Sequence, residues 1–211
     1  MSDELSDSIG NFADLVAAGT PAPGGGSVAA YSGMLAASLG RMMCSLTLGK
    51  ARYLEVEPRV KEINADLERW GGRLRQLIAE DAASFEGVLA AYRMPKETDE
   101  QKMDRKHRIA IATRAAVDVP LETARTALEV LKRLAELARI GNPNALPDVA
   151  VGSRLAQTAV KGAYYNIGIN LKTLADSEAA GIIGRHTAEL IAETERLAAE
   201  IESIMLKQMG E

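Results

Sequence analysis

The chain has few of the residues that most often carry redox, metal or nucleophilic chemistry. Its 211 residues include one cysteine, two histidines, one tryptophan and two phenylalanines. A lone Cys44 excludes an internal disulfide framework and fits a reducing, cytoplasmic setting. His107 and His186 stand apart in charged surroundings, so no cluster has zinc-ligand spacing and no metal is expected. The same two histidines make poor members of a Ser-His-Asp arrangement. Neither sign of charge dominates: the net charge is −4 with both signs interleaved, which leaves no nucleic-acid footprint. Long apolar runs are lacking as well. Residues 15–40 are uncharged but contain a Pro/Gly run, and the roughly 14 residues from there to Arg41 fall short of the ~20 that a membrane span needs. The first residues, Met1, Ser2, Asp3 and Glu4, are acidic and polar, unlike a secretory signal.

What is abundant is alanine, leucine, glutamate and arginine, a helical composition, and no stretch alternates with period two long enough for a strand. The expected fold is all-α, a long-helix bundle forming one domain over residues 1–211. An amphipathic helix is predicted over 5–18, with Ile9, Phe12, Ala13, Val16 and Ala17 on one face. A second follows from Ser27 to about Gly49, with Ala30, Gly33, Ala37, Gly40 and Cys44 as a stripe of small residues. Such a stripe lets another backbone come close, so this helix is central or at a subunit contact. Pro58 opens a third helix to about Tyr92, with a kink or break at Gly71 and Gly72. Thr98 and Gln101 form a capping box for a helix to Ile140, bent or split at Pro120. After the turn formers of 141–148, helices are predicted over 149–175 and 183–208.

Candidate chemistry gathers at a few positions. In the run 20–27 (TPAPGGGS), prolines fix the backbone, glycines free it, and Ser27 sits where a helix starts. The run is either a flexible turn with an N-cap or a cradle. In the second case Gly24, Gly25, Gly26 and Ser27 present backbone N–H groups to a carboxylate, phosphate or heterocycle edge. Asp81 shares the apolar stripe of Leu74, Leu77, Ile78, Phe85 and Val88, whereas Glu80 falls on the polar side. An acid there is either a structural acid bonded to a neighbouring helix end or a general acid or base with a raised pKa. Asp148 is either the N-cap of the next helix or faces a cleft. Asn166 and Asn170, four residues apart on an apolar helix, either hold each other and nearby carbonyls or read a heterocycle edge. Lys50 and Arg52 are solvated, or contact an anionic tail.

Together these pieces resemble the tetrahydrofolate cyclodeaminase/cyclohydrolase helical proteins, the C-terminal-domain-like part of the formiminotransferase-cyclodeaminase family. The matching segments are 23–27 (PGGGS), 46–53 (LTLGKARY), 81–85 (DAASF), 94–98 (MPKET), 119–121 (VPL), 141–144 (GNPN), Asp148 and 162–170 (GAYYNIGIN), in one order. The resemblance implies an all-helical homo-oligomer, commonly a dimer, with a tetrahydrofolate derivative as substrate and no prosthetic group. Segments 53–57 (YLEVE), 96–100 (KETDE) and 118–121 (DVPL) look more like stand-alone methenyltetrahydrofolate cyclohydrolases, whereas 163–166 (AYYN) looks closer to the cyclodeaminases. The expected activity is hydrolysis of 5,10-methenyltetrahydrofolate; the alternative is formimidoyltetrahydrofolate cyclodeamination, and a third reading is a non-catalytic helical oligomerisation module. On this resemblance Asp81 acts as base or acid with Asp148 or Lys50 as partner. Asn166 and Asn170 orient the pterin, and the backbone of Gly24, Gly25, Gly26 and Ser27 holds pterin or glutamate oxygens.

Overall fold

The computed structural model describes residues 2–174 and 176–210, with side chains from residue 8 onward. Among the described residues every regular element is helical. Six α-helices follow one another: α1 (Ser2–Ala17), α2 (Gly25–Thr47), α3 (Glu57–Arg93), α4 (Asp99–Ile140), α5 (Leu146–Leu171) and α6 (Ser177–Met209). Short 3-10 turns at Ala51–Tyr53 and Pro143–Ala145 join α2 to α3 and α4 to α5.

The small-residue stripe explains the packing order. Ala30, Gly33, Ala37, Gly40 and Cys44 are all buried, and α2 runs between α3, α4 and α5. A Cβ built on Gly33 would lie 3.2 Å from Leu74 of α3 and 3.3 Å from Ala159 of α5. Leucines from α3 and α4 close the centre, with Leu67, Leu74, Leu131, Leu134 and Leu137 fully buried. Helix α6 covers α4 and α5 with Ile183, Leu190, Leu197 and Ile201.

The capping box at the start of α4 is present: the Gln101 N–H donates to Thr98 Oγ1, and the Thr98 N–H donates to Gln101 Oε1, both at 3.2 Å. Elsewhere the boundaries differ from the sequence expectations. α3 runs unbroken through Gly71 and Gly72 because buried Leu67, Leu74 and Leu77 pin both sides, and Gly71 lets α3 approach Ala37 of α2. α4 likewise continues past Pro120. α5 starts at Leu146 with Pro147 in its first turn, so its N-cap is Ala145 and not Asp148. α6 starts at Ser177, where the Asp176 carboxylate accepts the Ala179 N–H at 2.9 Å.

The end of α2 is fastened to the α4–α5 turn. The Asn142 N–H donates to Thr47 Oγ1 at 3.0 Å, its Nδ2 donates to the Leu46 carbonyl at 3.1 Å, and Arg52 donates to its Oδ1 at 2.9 Å. The segments 46–53 and 141–144 therefore hold one end of the bundle together.

Candidate active site

At the opposite end, the start of α2 meets α3, α4 and α5 around a cleft of roughly 290 Å³. Gly24 is the N-cap of α2 and offers no side-chain cap, so the first amides of the helix lack the usual intrahelical partner. Asp81 supplies one from α3. Its Oδ2 lies 2.9 Å from the Ser27 hydroxyl, which also lies 3.1 Å from the Ile78 carbonyl, and it accepts the Ser27 backbone N–H as well. Ser27 is thus not the helix-starting residue; it is the third residue of α2, buried against Asp81. This close approach requires glycine at position 26, where a Cβ would stand 2.1 Å from Asp81 Oδ1.

Asp81 has no cation partner among the described residues, whereas its neighbour Glu80 is held by Arg73, which also binds Glu122. Burial raises the pKa of Asp81 from its ordinary carboxylate value, and the hydrogen bonds from Ser27 oppose that rise.

Asn166 and Asn170 reach the same cleft from α5, one turn apart. They do not hold each other. Asn166 Nδ2 donates to the Gly162 carbonyl at 2.9 Å, and Asn170 Nδ2 donates to the Ala116 carbonyl at 2.6 Å. The second bond has a cause in α4. Pro120 lacks the N–H that would pair the Ala116 carbonyl in a regular helix, and Asn170 takes that vacant acceptor. Both amides keep Oδ1 for a ligand.

The cleft therefore unites Gly24, Gly25, Gly26, Asp81, Asn166 and Asn170, with Ser27 behind Asp81. Two predicted residues lie elsewhere. Lys50 follows the C-terminal end of α2, a helix about 34 Å long at 1.5 Å per residue. Asp148 is the third residue of α5, about 27 Å along the helix from Asn166. Neither reaches the cleft within this chain. The structure adds Ser84, Phe85, Thr113, Ile169 and Thr173 to the lining. Helical spacing contains the signal for three of them, since Ser84 and Phe85 lie three and four residues beyond Asp81, and Thr173 lies three beyond Asn170. Phe85 and Ile169 are 42% and 64% exposed and form apolar walls suited to a flat heterocycle. A groove between α5 and α6 at Val151, Ser153, Ala198, Ile201 and Met205 has apolar walls and gathers no comparable set of polar groups. Among the described residues no group of three or more His, Cys, Asp or Glu forms a metal site, and no helix is long and apolar enough to cross a membrane.

Fold and cleft define an all-helical protein with one buried carboxylate at the head of a helix, flanked by two amides. A profile of the formiminotransferase-cyclodeaminase family matches residues 8–189, and the chain belongs to that family. It is 37% identical over 195 residues to methenyltetrahydrofolate cyclohydrolase of Methylorubrum extorquens, covering 92% of this chain and 90% of that protein. It is 35% identical over 172 residues to formimidoyltransferase-cyclodeaminase of Mus musculus, covering 82% of this chain but 32% of that longer protein. The fold matches a solved structure of formiminotetrahydrofolate cyclodeaminase from Thermotoga maritima with a TM-score of 0.85 and 27% identity, covering 94% of this chain and 95% of that one.

Proposed function

We propose that the cleft catalyses a one-carbon reaction on tetrahydrofolate, and that the reaction is cyclodeamination of 5-formiminotetrahydrofolate. The observation that carries this reading is the placement of Asp81, free of any cation and held by the start of α2, in one cleft with Asn166 and Asn170. The family name, the animal relatives and the Thermotoga maritima structure favour cyclodeamination over the hydrolysis that the sequence alone suggested. The Methylorubrum extorquens relative, similar along nearly its whole length, keeps hydrolysis of 5,10-methenyltetrahydrofolate as the second reading.

Both reactions pass through a tetrahedral carbon bonded to N5 and N10, and one carboxylate serves either. In cyclodeamination N10 attacks the N5 formimidoyl carbon of the amidinium. Asp81 removes the N10 proton and delivers it to the amine that departs as ammonia. The single positive charge passes from amidinium to methenyl cation beside the carboxylate, so no net charge is created. In hydrolysis Asp81 accepts the proton of the attacking water and returns it to N5 as the C–N5 bond of the tetrahedral carbon breaks, while the remaining hydroxyl proton passes to solvent and the formyl group stays on N10. The Oδ1 atoms of Asn166 and Asn170 accept pterin N–H groups, and Phe85 with Ile169 flanks the ring. The unpaired amides at the start of α2 suit a pterin or carboxylate oxygen. We read the working assembly as a homodimer.

The test follows the appearance of 5,10-methenyltetrahydrofolate and ammonia from 5-formiminotetrahydrofolate, beside loss of added 5,10-methenyltetrahydrofolate above its spontaneous rate. Ammonia release supports cyclodeamination, and accelerated hydrolysis without it moves the chain to the second reading. Inactivity in both overturns the proposal in favour of a non-catalytic helical module. Asp81→Asn is expected to lower whichever activity is found by roughly a hundredfold or more while the helix content stays unchanged.

A further inference from the structure

Three of the four serines of α2 bond within their own helix. Ser32, Ser38 and Ser45 each donate to the carbonyl four residues earlier, at 2.9, 3.0 and 3.1 Å. Ser27 is the third residue of α2, and four residues behind it lies Pro23, before the helix begins. Its hydroxyl crosses to α3 instead, where it meets two acceptors, Asp81 Oδ2 at 2.9 Å and the Ile78 carbonyl at 3.1 Å. A hydroxyl has one proton to give and two lone pairs that accept, so it serves one of these acceptors at a time.

The second acceptor is an optional one. Ile78 lies inside α3, so its carbonyl already accepts the helical N–H of Ala82. It takes or releases the Ser27 proton without being left unpaired. Ser27 is fully buried, so solvent does not replace either bond.

We propose that Ser27 is a positioning residue that follows the protonation state of Asp81. It donates to Oδ2 of the carboxylate; when Oδ2 carries a proton, it accepts that O–H and turns its own toward the Ile78 carbonyl. No bond to Ser27 forms or breaks, the proton stays on Asp81, and only the Ser27 O–H rotates. The carboxyl is thereby held in one place against α2 in both states, as a group that takes a proton and hands it back requires. This rests on the folate reading above and deepens it. The Ser27 backbone N–H cannot play this part, since it only donates and favours the carboxylate alone. No charged side chain competes for the role. The other helices present Gly25, Gly26, Thr113, Asn166 and Asn170 to the cleft, and on α3 Glu80 is held by Arg73, which also binds Glu122 of α4. Burial and Ser27 alone act on the acidity of Asp81.

Carbon-13 NMR of aspartate-labelled protein measures the coupling without substrate, with the Asp81 signal identified by its loss in Asp81→Asn. Ser27→Ala is expected to move the Asp81 titration upward by about one pH unit, because the bond lost to the carboxylate is stronger than the bond lost to the acid. Ser27→Cys, with a weaker donor in nearly the same space, is expected to move it in the same direction by less. A titration that neither variant moves overturns the proposal. The neutral state is read in Asp81→Asn, whose side-chain amide stands in for the protonated acid. That amide is expected to exchange its protons at least tenfold more slowly in Asp81→Asn than in Ser27→Ala/Asp81→Asn. Equal exchange means that Ser27 serves the carboxylate alone, and overturns the two-state role. In the active enzyme the acid limb of kcat/KM should move upward with the NMR titration in Ser27→Ala. A wild-type chain without folate turnover overturns the substrate reading, while titration and exchange still decide the part played by Ser27.

Discussion

Glu80 and Asp81 are adjacent acids that one helical step turns to different surroundings. Glu80 meets Arg73 on the polar side, while Asp81 meets the start of α2, where only dipoles and hydrogen bonds offset its burial. The consequence for stability has a definite sign. Because the folded-state pKa of Asp81 is raised, the unfolded chain ionises first as pH increases, and the native state binds more protons between the two values. Stability contributed by this group is therefore present below the ordinary carboxylate pKa and is lost as pH rises through the folded one. Asp81→Asn should flatten that part of a denaturant-midpoint-against-pH curve and leave the protein no less stable at neutral pH. A steeper fall with pH in the variant would contradict it. The adjacent glycines make a second, sharper comparison. Gly26→Ala drives a methyl into the Asp81 carboxylate and should cost about 1–3 kcal/mol of stability along with the site geometry. Gly25→Ala meets only Asn166 Nδ2 at 3.9 Å, so the fold should persist while ligand binding weakens. Thermal melts and folate titrations of the pair distinguish a ligand cradle from a plain turn.

At the level of elements, the order and number of helices are legible in the sequence because hydrophobic period and caps are local signals. Gly71, Gly72 and Pro120 mislead for tertiary reasons. Backbone propensity argues for breaks there, but α2 requires a close neighbour at Gly71, and Asn170 of α5 satisfies the carbonyl that Pro120 leaves open. Pro120 thus acts on the site through Asn170 and is a positioning residue. Pro120→Ala restores an N–H at position 120 that competes with Asn170 Nδ2 for the Ala116 carbonyl. Substrate KM is expected to rise several-fold, as a lost side-chain hydrogen bond of about 1 kcal/mol would give. In an Asn170→Ala background the same substitution should leave KM unchanged. Additive effects in that double-mutant cycle would show that the two residues act separately.

Across the whole molecule, the two ends of the bundle gather different residues, the cleft at one and the Asn142 fastening at the other, and this division is hidden from sequence reading. Gly24, Gly25, Gly26, Asp81, Asn166 and Asn170 are legible because each breaks a local pattern: glycines in series, an acid on an apolar stripe, amides on an apolar helix. Periodicity assigns faces, however, and does not say which ends of antiparallel helices coincide, so Lys50 and Asp148 carry no mark that places them away from the cleft. The middle of the bundle, where neither end is touched, offers a test of this separation. Gly40 lies where α2 meets α3 and α4, and a Cβ there would stand 2.7 Å from Leu134 and 2.8 Å from Leu67. These are ends of leucine side chains, so the contact relaxes by repacking a fully buried layer. Gly40→Ala is expected to lower global stability by about 1–3 kcal/mol. Position 40 is about 21 Å along α2 from Gly26, so KM should not move at temperatures where the variant is folded. Denaturant titration read beside KM checks both halves, and a change in KM without loss of stability would mean that the bundle transmits packing from its centre to the cleft.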